Sequence, residues 1–180
     1  MDHTRVLGAV LAGGRSTRFG TDKALADVGG RTMLARAVDA LAELCPHVIV
    51  VGRETAPAPT IPDWPGPDMG PLAGLAGAVR HAENAGFDAV LTCGVDSLGL
   101  SAELAALLAP APAYCTDQPV IGLWPVSAAA AASAILEGTG RHSMLAFARA
   151  IGARAVNPPE ETANINTPGD LAAAEIRLGL

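Results

Sequence analysis

The sequence predicts an α/β protein whose mainly parallel, twisted sheet is covered by helices on both faces. Three observations carry this reading: short continuous runs of Val, Leu and Ile bounded by glycine, stretches with apolar residues at helical spacing between them, and the regular alternation of the two along the first half of the chain. Residues 6–11, 48–51 and 89–93 read as buried strands. Between the first two, residues 32–44 place Met33, Leu34, Ala37, Val38, Leu41 and Leu44 on one helical stripe. Gly70-Pro71-Leu72 opens the next helix with proline in its first turn, where the missing N–H costs nothing, and this helix is expected to reach about residue 85. Ser101 is the expected N-cap of a helix over 102–108. A β-α-β-α-β-α order implies right-handed crossovers.

The second half is less regular. Strands are expected over 120–124 and 153–156, and helices over 126–137 and 143–151. Thr167-Pro168-Gly169-Asp170 offers a cap, a proline at the first helical position and an acidic answer three residues on, before a helix over 171–178. Residues 54–70 form the one long irregular stretch, with prolines at 57, 59, 62, 65 and 67, and a loop of that length is expected to border a binding site.

The 180 residues suit one domain, 1–180, and the 50% hydrophobic content excludes general disorder. Twelve basic residues, eleven Arg and the single Lys23, stand against eighteen acidic ones, for a net charge of −6. No basic run exists to meet nucleic acid or an anionic membrane, so neither is an expected partner. Cys45, Cys93 and Cys115 make no CxxC and the four histidines no HExxH, which argues against a disulfide framework or a zinc site and for a reducing, cytoplasmic setting. The apolar run after Arg5 has the outline of a signal peptide, but Asp2 spoils its positive start. The alanine tract at 128–132 is far shorter than the ~18 apolar residues a membrane span requires.

The most informative stretch follows the first strand: Leu11-Ala12-Gly13-Gly14-Arg15-Ser16-Thr17-Arg18-Phe19-Gly20-Thr21-Asp22-Lys23. Glycines let backbone N–H groups wrap an anion, and three of the twelve basic residues fall within nine positions. The loop also leaves the carboxyl end of a strand, where open α/β sheets bind ligands. A plain strand-to-helix turn with arginines in solvent is the alternative, and the concentration of charge favours anion binding. Neither GxxxxGK[ST] nor GxGxxG is present, which disfavours a P-loop NTPase and a dinucleotide dehydrogenase.

LAGGRSTRFGTDK resembles the LAGG-x-S-x-R-[MF]-G-x-DK signature of the molybdenum cofactor guanylyltransferases, in the wider nucleotidyltransferase superfamily. The resemblance continues through Gly70-Pro71-Leu72-Ala73-Gly74, Val95-Asp96, Gln118 to Trp124, Gly140-Arg141-His142-Ser143 and Asn164-Ile165-Asn166-Thr167-Pro168-Gly169-Asp170-Leu171. It implies a Rossmann-like three-layer sandwich of the nucleotide-diphospho-sugar transferase type, with a nucleotide-binding half over about 1–100 and an acceptor-binding half over about 101–180. It also implies transfer of GMP from GTP to the terminal phosphate of molybdopterin, with release of pyrophosphate. Gly14 stands where related cytidylyltransferases more often carry alanine, which favours GTP over CTP. A cytidylyl- or sugar-phosphate transferase, or a non-catalytic nucleotide-binding paralogue, is the alternative.

By the same resemblance, Leu11, Ala12 and Gly13 meet guanine and ribose, Lys23 neutralises the triphosphate, and Asp96 holds Mg²⁺ and joins the nucleotide site, an ordinary Asx turn being the alternative for Asp96; Gly14 and Arg15 of the same loop are further nucleotide-binding and catalytic candidates. Asp63 falls where the family has an acidic residue near the nucleotide, with Asp68 as a competitor and a solvated loop as the alternative. Asn164 and Asn166 belong to the acceptor-side NxNTP motif, Arg141 is a candidate for the pterin phosphate with a surface position as the alternative, and other cofactor-biosynthesis or acceptor proteins are candidate partners. Two departures stand out. Ser97-Leu98 replaces the family's usual D-x-P continuation after Asp96, and Gly52-Arg53 stands where the family often has an Asn that contacts base or ribose. Met33, Trp124 and Phe147 read as core.

Overall fold

The computed structural model describes residues 4–14, 22–98, 100–158, 163–164 and 167–179. Strand β1 (Val6–Leu11) leads to a single 3-10 turn (Lys23–Leu25), the small hairpin β2 (Asp27–Val28) and β3 (Arg31–Thr32), helix α1 (Met33–Ala42), β4 (His47–Val51) and β5 (Thr60–Ile61). Then come α2 (Pro71–Asn84), β6 (Ala89–Gly94), β7 (Ser97–Leu98), α3 (Ala102–Leu108), β8 (Ala113–Cys115) and β9 (Gly122–Pro125). A second 3-10 turn (Val126–Ala128) runs into α4 (Ala129–Glu137), followed by α5 (Met144–Ala150), β10 (Arg154–Val156), β11 (Ala163–Asn164) and α6 (Pro168–Leu178).

The main sheet has the order β10-β8-β9-β6-β1-β4-β5. In this sheet β9 runs against its neighbours, pairing antiparallel with both β6 and β8, so the sheet is mainly parallel, as expected, with one reversed strand. Alternation along β1 divides the core. Leu7, Ala9 and Leu11 face α2, α4 and α5, whereas Val10 faces α1 and α3. Helices α1 and α2 thus cross on opposite faces as the chain passes from β1 to β4 on one side and to β6 on the other. The last residues of these three strands lie side by side, Leu11 paired with both Val51 and Gly94. That edge is the topological switch point of the sheet.

Helix starts follow the sequence chemistry. Thr32, Ser101 and Ser143 each accept a bond from the amide three residues on, and Thr167 and Asp170 form the reciprocal capping box. Met33, Trp124 and Phe147 are fully buried, as expected of core. The three cysteines are free and buried, and burial raises the Cys45 and Cys93 thiols to about 11 and about 12, which makes them poor nucleophiles.

A buried polar relay fixes β9 against β6. The Trp124 indole N–H donates to Thr92 Oγ1 at 2.8 Å, and that hydroxyl donates to the Val120 carbonyl at 2.6 Å. Thr92→Val keeps the shape and strands both partners. It is expected to destabilise the fold by about 1–3 kcal/mol, read as a lower urea midpoint with an unchanged slope.

Candidate functional site

Three strand ends bring the candidate residues together. After β1, Leu11 and Ala12 are buried, and the Ala12 amide donates to the Val51 carbonyl at 2.9 Å, so that donor is committed to the sheet. The chain then passes Gly13 and Gly14 into 15–21, which lie outside the described residues together with Arg15. After β4, Gly52 turns back at φ +84°, and a Cβ there would stand 2.6 Å from the Gly13 Cα. Only glycine permits both that dihedral and that approach.

Asp63 is held in the space these glycines leave. A Cβ on Gly13 would stand 2.6 Å from Asp63 Oδ2, and one on Gly74 would stand 3.3 Å from Oδ1. The proline-rich stretch is pinned on both sides: β5 pairs with β4, and the Trp64 amide donates to the Ala73 carbonyl in α2 at 3.0 Å. Arg80 covers the Trp64 ring at 4.5 Å. Asp63 is therefore not a solvated loop residue. Burial, and secondarily the nearby Asp68 charge, raise its carboxyl above the usual aspartate value.

At the third strand end, Asp96 follows β6. Its Oδ2 accepts from Lys23 Nζ at 3.0 Å, the Lys23 side chain being 11% exposed and that of Asp96 26%. A mostly covered ammonium requires such a partner. The turn around the carboxylate is held by side chains. Ser97 Oγ accepts from the Gly94 amide at 3.0 Å and donates to Gln118 Oε1 at 3.1 Å, with Ser97 and Gln118 both buried. These bonds hold the turn in which leucine stands at the family's proline position. In β7, Ser97 pairs antiparallel with Asn164, which brings the backbone of the NxNTP segment beside Asp96. The Asn164 side chain and Asn166 lie outside what is described.

Beside Asp96 opens a cavity of about 430 Å³, walled by Pro71, Asp117, Gln118, Val120, His142 and Met144 among others. Gln118 and His142 went unread in the sequence as site residues, because a lone polar residue in a turn carries no periodic signal. Arg141 is exposed in the turn just before His142 and does not line the cavity. His142 is anchored to the Gly138 carbonyl at 3.0 Å.

The Asp96 carboxylate suits Mg²⁺, which prefers one or two carboxylates completed by substrate phosphates and waters. Among the described residues no cluster of three or more His, Cys, Asp or Glu forms an all-protein cage.

Comparison with known proteins identifies the family. Residues 8–155 match the MobA-like NTP transferase domain. The molybdenum cofactor guanylyltransferase of Acidiphilium cryptum is 38% identical, with 92% of each chain covered, and that of Rhodobacter capsulatus is 32% identical, with 97% of each covered. Among solved structures, molybdopterin-guanine dinucleotide biosynthesis protein A from Archaeoglobus fulgidus shares the fold at a TM-score of 0.71 and 23% identity, covering 96% of this chain and 98% of that one. With these matches extending over most of its length, the chain belongs to the molybdenum cofactor guanylyltransferases, built on a MobA-like NTP transferase domain.

Proposed function

We propose that this protein transfers GMP from GTP to the terminal phosphate of molybdopterin, in the cytoplasm and with Mg²⁺. The observation that carries the reading is the convergence of Gly13, Asp63, Lys23 and Asp96 on one sheet edge, with a cavity opening beside Asp96. Guanine lies along the Leu11–Gly14 backbone, and the Asp63 carboxylate, an acceptor only, takes the N–H donors of its Watson–Crick edge. Cytosine offers a single exocyclic donor there, which favours GTP. Lys23, and Arg15 from the same loop, neutralise the phosphates, where charge-assisted bonds contribute roughly 1.5–3 kcal/mol each.

When bound at Asp96, Mg²⁺ supplies positive charge to the phosphates. Lys23 meets the oxygens on which charge builds as the bond from the α-phosphorus to the bridging oxygen breaks and pyrophosphate leaves. The acceptor phosphate oxygen forms the new bond, so no side chain acts as nucleophile. The cavity walled by Gln118 and His142 seats the acceptor, with the N-terminus of α2 at Pro71 opening on it and favouring an anionic group. Asn164 and Asn166 complete the acceptor end, and Arg141, exposed outside the cavity, meets only a part of the acceptor that projects from it. The nucleotide half then spans about 1–100 and the acceptor half about 101–180.

Purified protein should release pyrophosphate from Mg-GTP only when molybdopterin is present, and far less from Mg-CTP. Release with CTP at the GTP rate would assign a different nucleotide, and binding without release would favour a non-catalytic module. Asp63→Asn exchanges one acceptor oxygen for a donor, and GTP is expected to bind about 10- to 100-fold more weakly. Because the carboxylate is the binding form and its pKa is raised, the wild-type KM for GTP should climb as pH falls through a value above 3.8. Asp63→Asn should flatten that climb.

A further inference from the structure

We propose that Arg53 is a positioning residue for Lys23, acting through Asp22. Arg53 follows Gly52 at the end of β4, and its side chain is 19% exposed. Its two terminal guanidinium nitrogens donate to the two carboxylate oxygens of Asp22, Nη1 to Oδ1 at 3.2 Å and Nη2 to Oδ2 at 2.5 Å. Asp22 Oδ1 also accepts from the Ala24 amide at 3.1 Å, and so caps the 3-10 turn whose first residue is Lys23. Within that turn the Leu25 amide donates to the Asp22 carbonyl at 3.0 Å and the Ala26 amide to the Lys23 carbonyl at 3.1 Å. The sequence of contacts therefore runs from the end of β4 through Arg53 and Asp22 to Lys23, whose Nζ lies 3.0 Å from Asp96.

A one-turn 3-10 helix has little stability of its own, so its orientation is set by what grips its ends. A single hydrogen bond would leave the Asp22 carboxylate free to rotate. The two-pronged guanidinium contact fixes its plane, and with it the direction in which the next residue leaves. Arg53 holds Asp22 in its charged form, keeping that carboxyl below its usual value. The pair ties the residue before Lys23 to the end of β4, at the edge where Lys23 works. Arg53 bonds Asp22, and Asp22 caps the turn that carries Lys23, so the influence of Arg53 on Lys23 passes through its neighbour. The inference rests on the phosphate role given to Lys23 above.

The test compares Arg53→Ala, Asp22→Ser and the double variant with wild type and Lys23→Ala, using Mg-GTP and molybdopterin. Serine keeps a capping oxygen at position 22 and removes the fork's partner. Each single variant is expected to lose about 10- to 100-fold in kcat with a much smaller change in KM, as displacement of a working group does. The double variant should be no worse than either single. Arg53→Lys, which restores charge without the fork, should recover only a minor part. Thermal midpoints should move by less than about 4 °C, because a partly exposed ion pair contributes little to stability. The acylation rate of Lys23, the one lysine in the chain, should change in both single variants without nucleotide. Wild-type kcat and unchanged Lys23 acylation in both singles, with Lys23→Ala impaired, would overturn the positioning role alone. So would losses that multiply in the double variant. A fully active Lys23→Ala would overturn the phosphate reading beneath it as well.

Discussion

Lys23→Ala is expected to lower kcat/KM for Mg-GTP by about 10²- to 10³-fold, the usual cost of removing one preorganised group from developing phosphate charge. Lys23 is the sole lysine, and its ammonium sits in a largely covered position against Asp96. Two effects would act together in the alanine variant: the departing pyrophosphate loses its counter-charge, and Asp96 loses its resident cation. Lys23→Met separates charge from packing, since it keeps an unbranched stem of similar length. Both variants should be similarly slow if charge is what matters, whereas a methionine variant near wild type would make Lys23 a packing residue. The measurement is steady-state pyrophosphate release over a range of GTP concentrations.

Asp96→Asn is expected to have an effect at least as large, about 10³-fold in kcat/KM, because a metal-borne charge at a phosphate amounts to several kcal/mol and about 1.4 kcal/mol is tenfold. Asparagine retains an oxygen that can accept from Lys23 Nζ, so the turn should persist and the loss should report charge. A raised Mg²⁺ requirement is the accompanying signature. The Ser97 hydroxyl, bonded to Gly94 and Gln118, continues to aim position 96 in this variant. Asp96→Asn combined with Lys23→Ala should show less than the product of the two losses, since both groups act on the same phosphates. Activity within a fewfold of wild type at unchanged Mg²⁺ demand would remove Asp96 from the metal role.

Much of the fold could be read from local chemistry. Thr32, Ser101, Ser143 and the Thr167–Asp170 box mark helix starts that the structure realises, because caps are satisfied within three residues. Strands without a full apolar run escaped notice. β8 is three residues long in a proline-rich surround, β5 only two, and the β2–β3 hairpin holds together by a single pair of dipeptides. The strand expected over 120–124 begins at Gly122, because the Ile121 amide closes a turn onto the Gln118 carbonyl at 2.8 Å and residues 118–121 are spent there. Its antiparallel direction depends on long-range pairing that no window of sequence encodes.

The site divides in the same way. The glycines and Lys23 of one signature, and an aspartate after a later strand, mark this edge as a candidate site; in the fold Lys23 bonds Asp96 and Gly13 packs against Asp63. Asp63 could be decided only when β5 and Trp64 were seen to pin its loop, since a proline-rich stretch reads equally as solvated coil. Gly52-Arg53 stands where the family often has an asparagine, so the sequence marks only a departure at this position. The contact of Arg53 with Asp22 spans 31 positions and appears only when two strand ends are brought side by side.

The most direct test of the account uses the scarcity of lysine itself. An amine-directed acylating reagent can modify only Lys23 and the chain's α-amino group, and the modified positions can be counted by peptide mass mapping. Mg-GTP should slow acylation of Lys23 at least tenfold while leaving the α-amino group unchanged, and Mg-CTP should protect far less. Equal acylation of Lys23 with and without saturating Mg-GTP would contradict the placement of the triphosphate at this sheet edge.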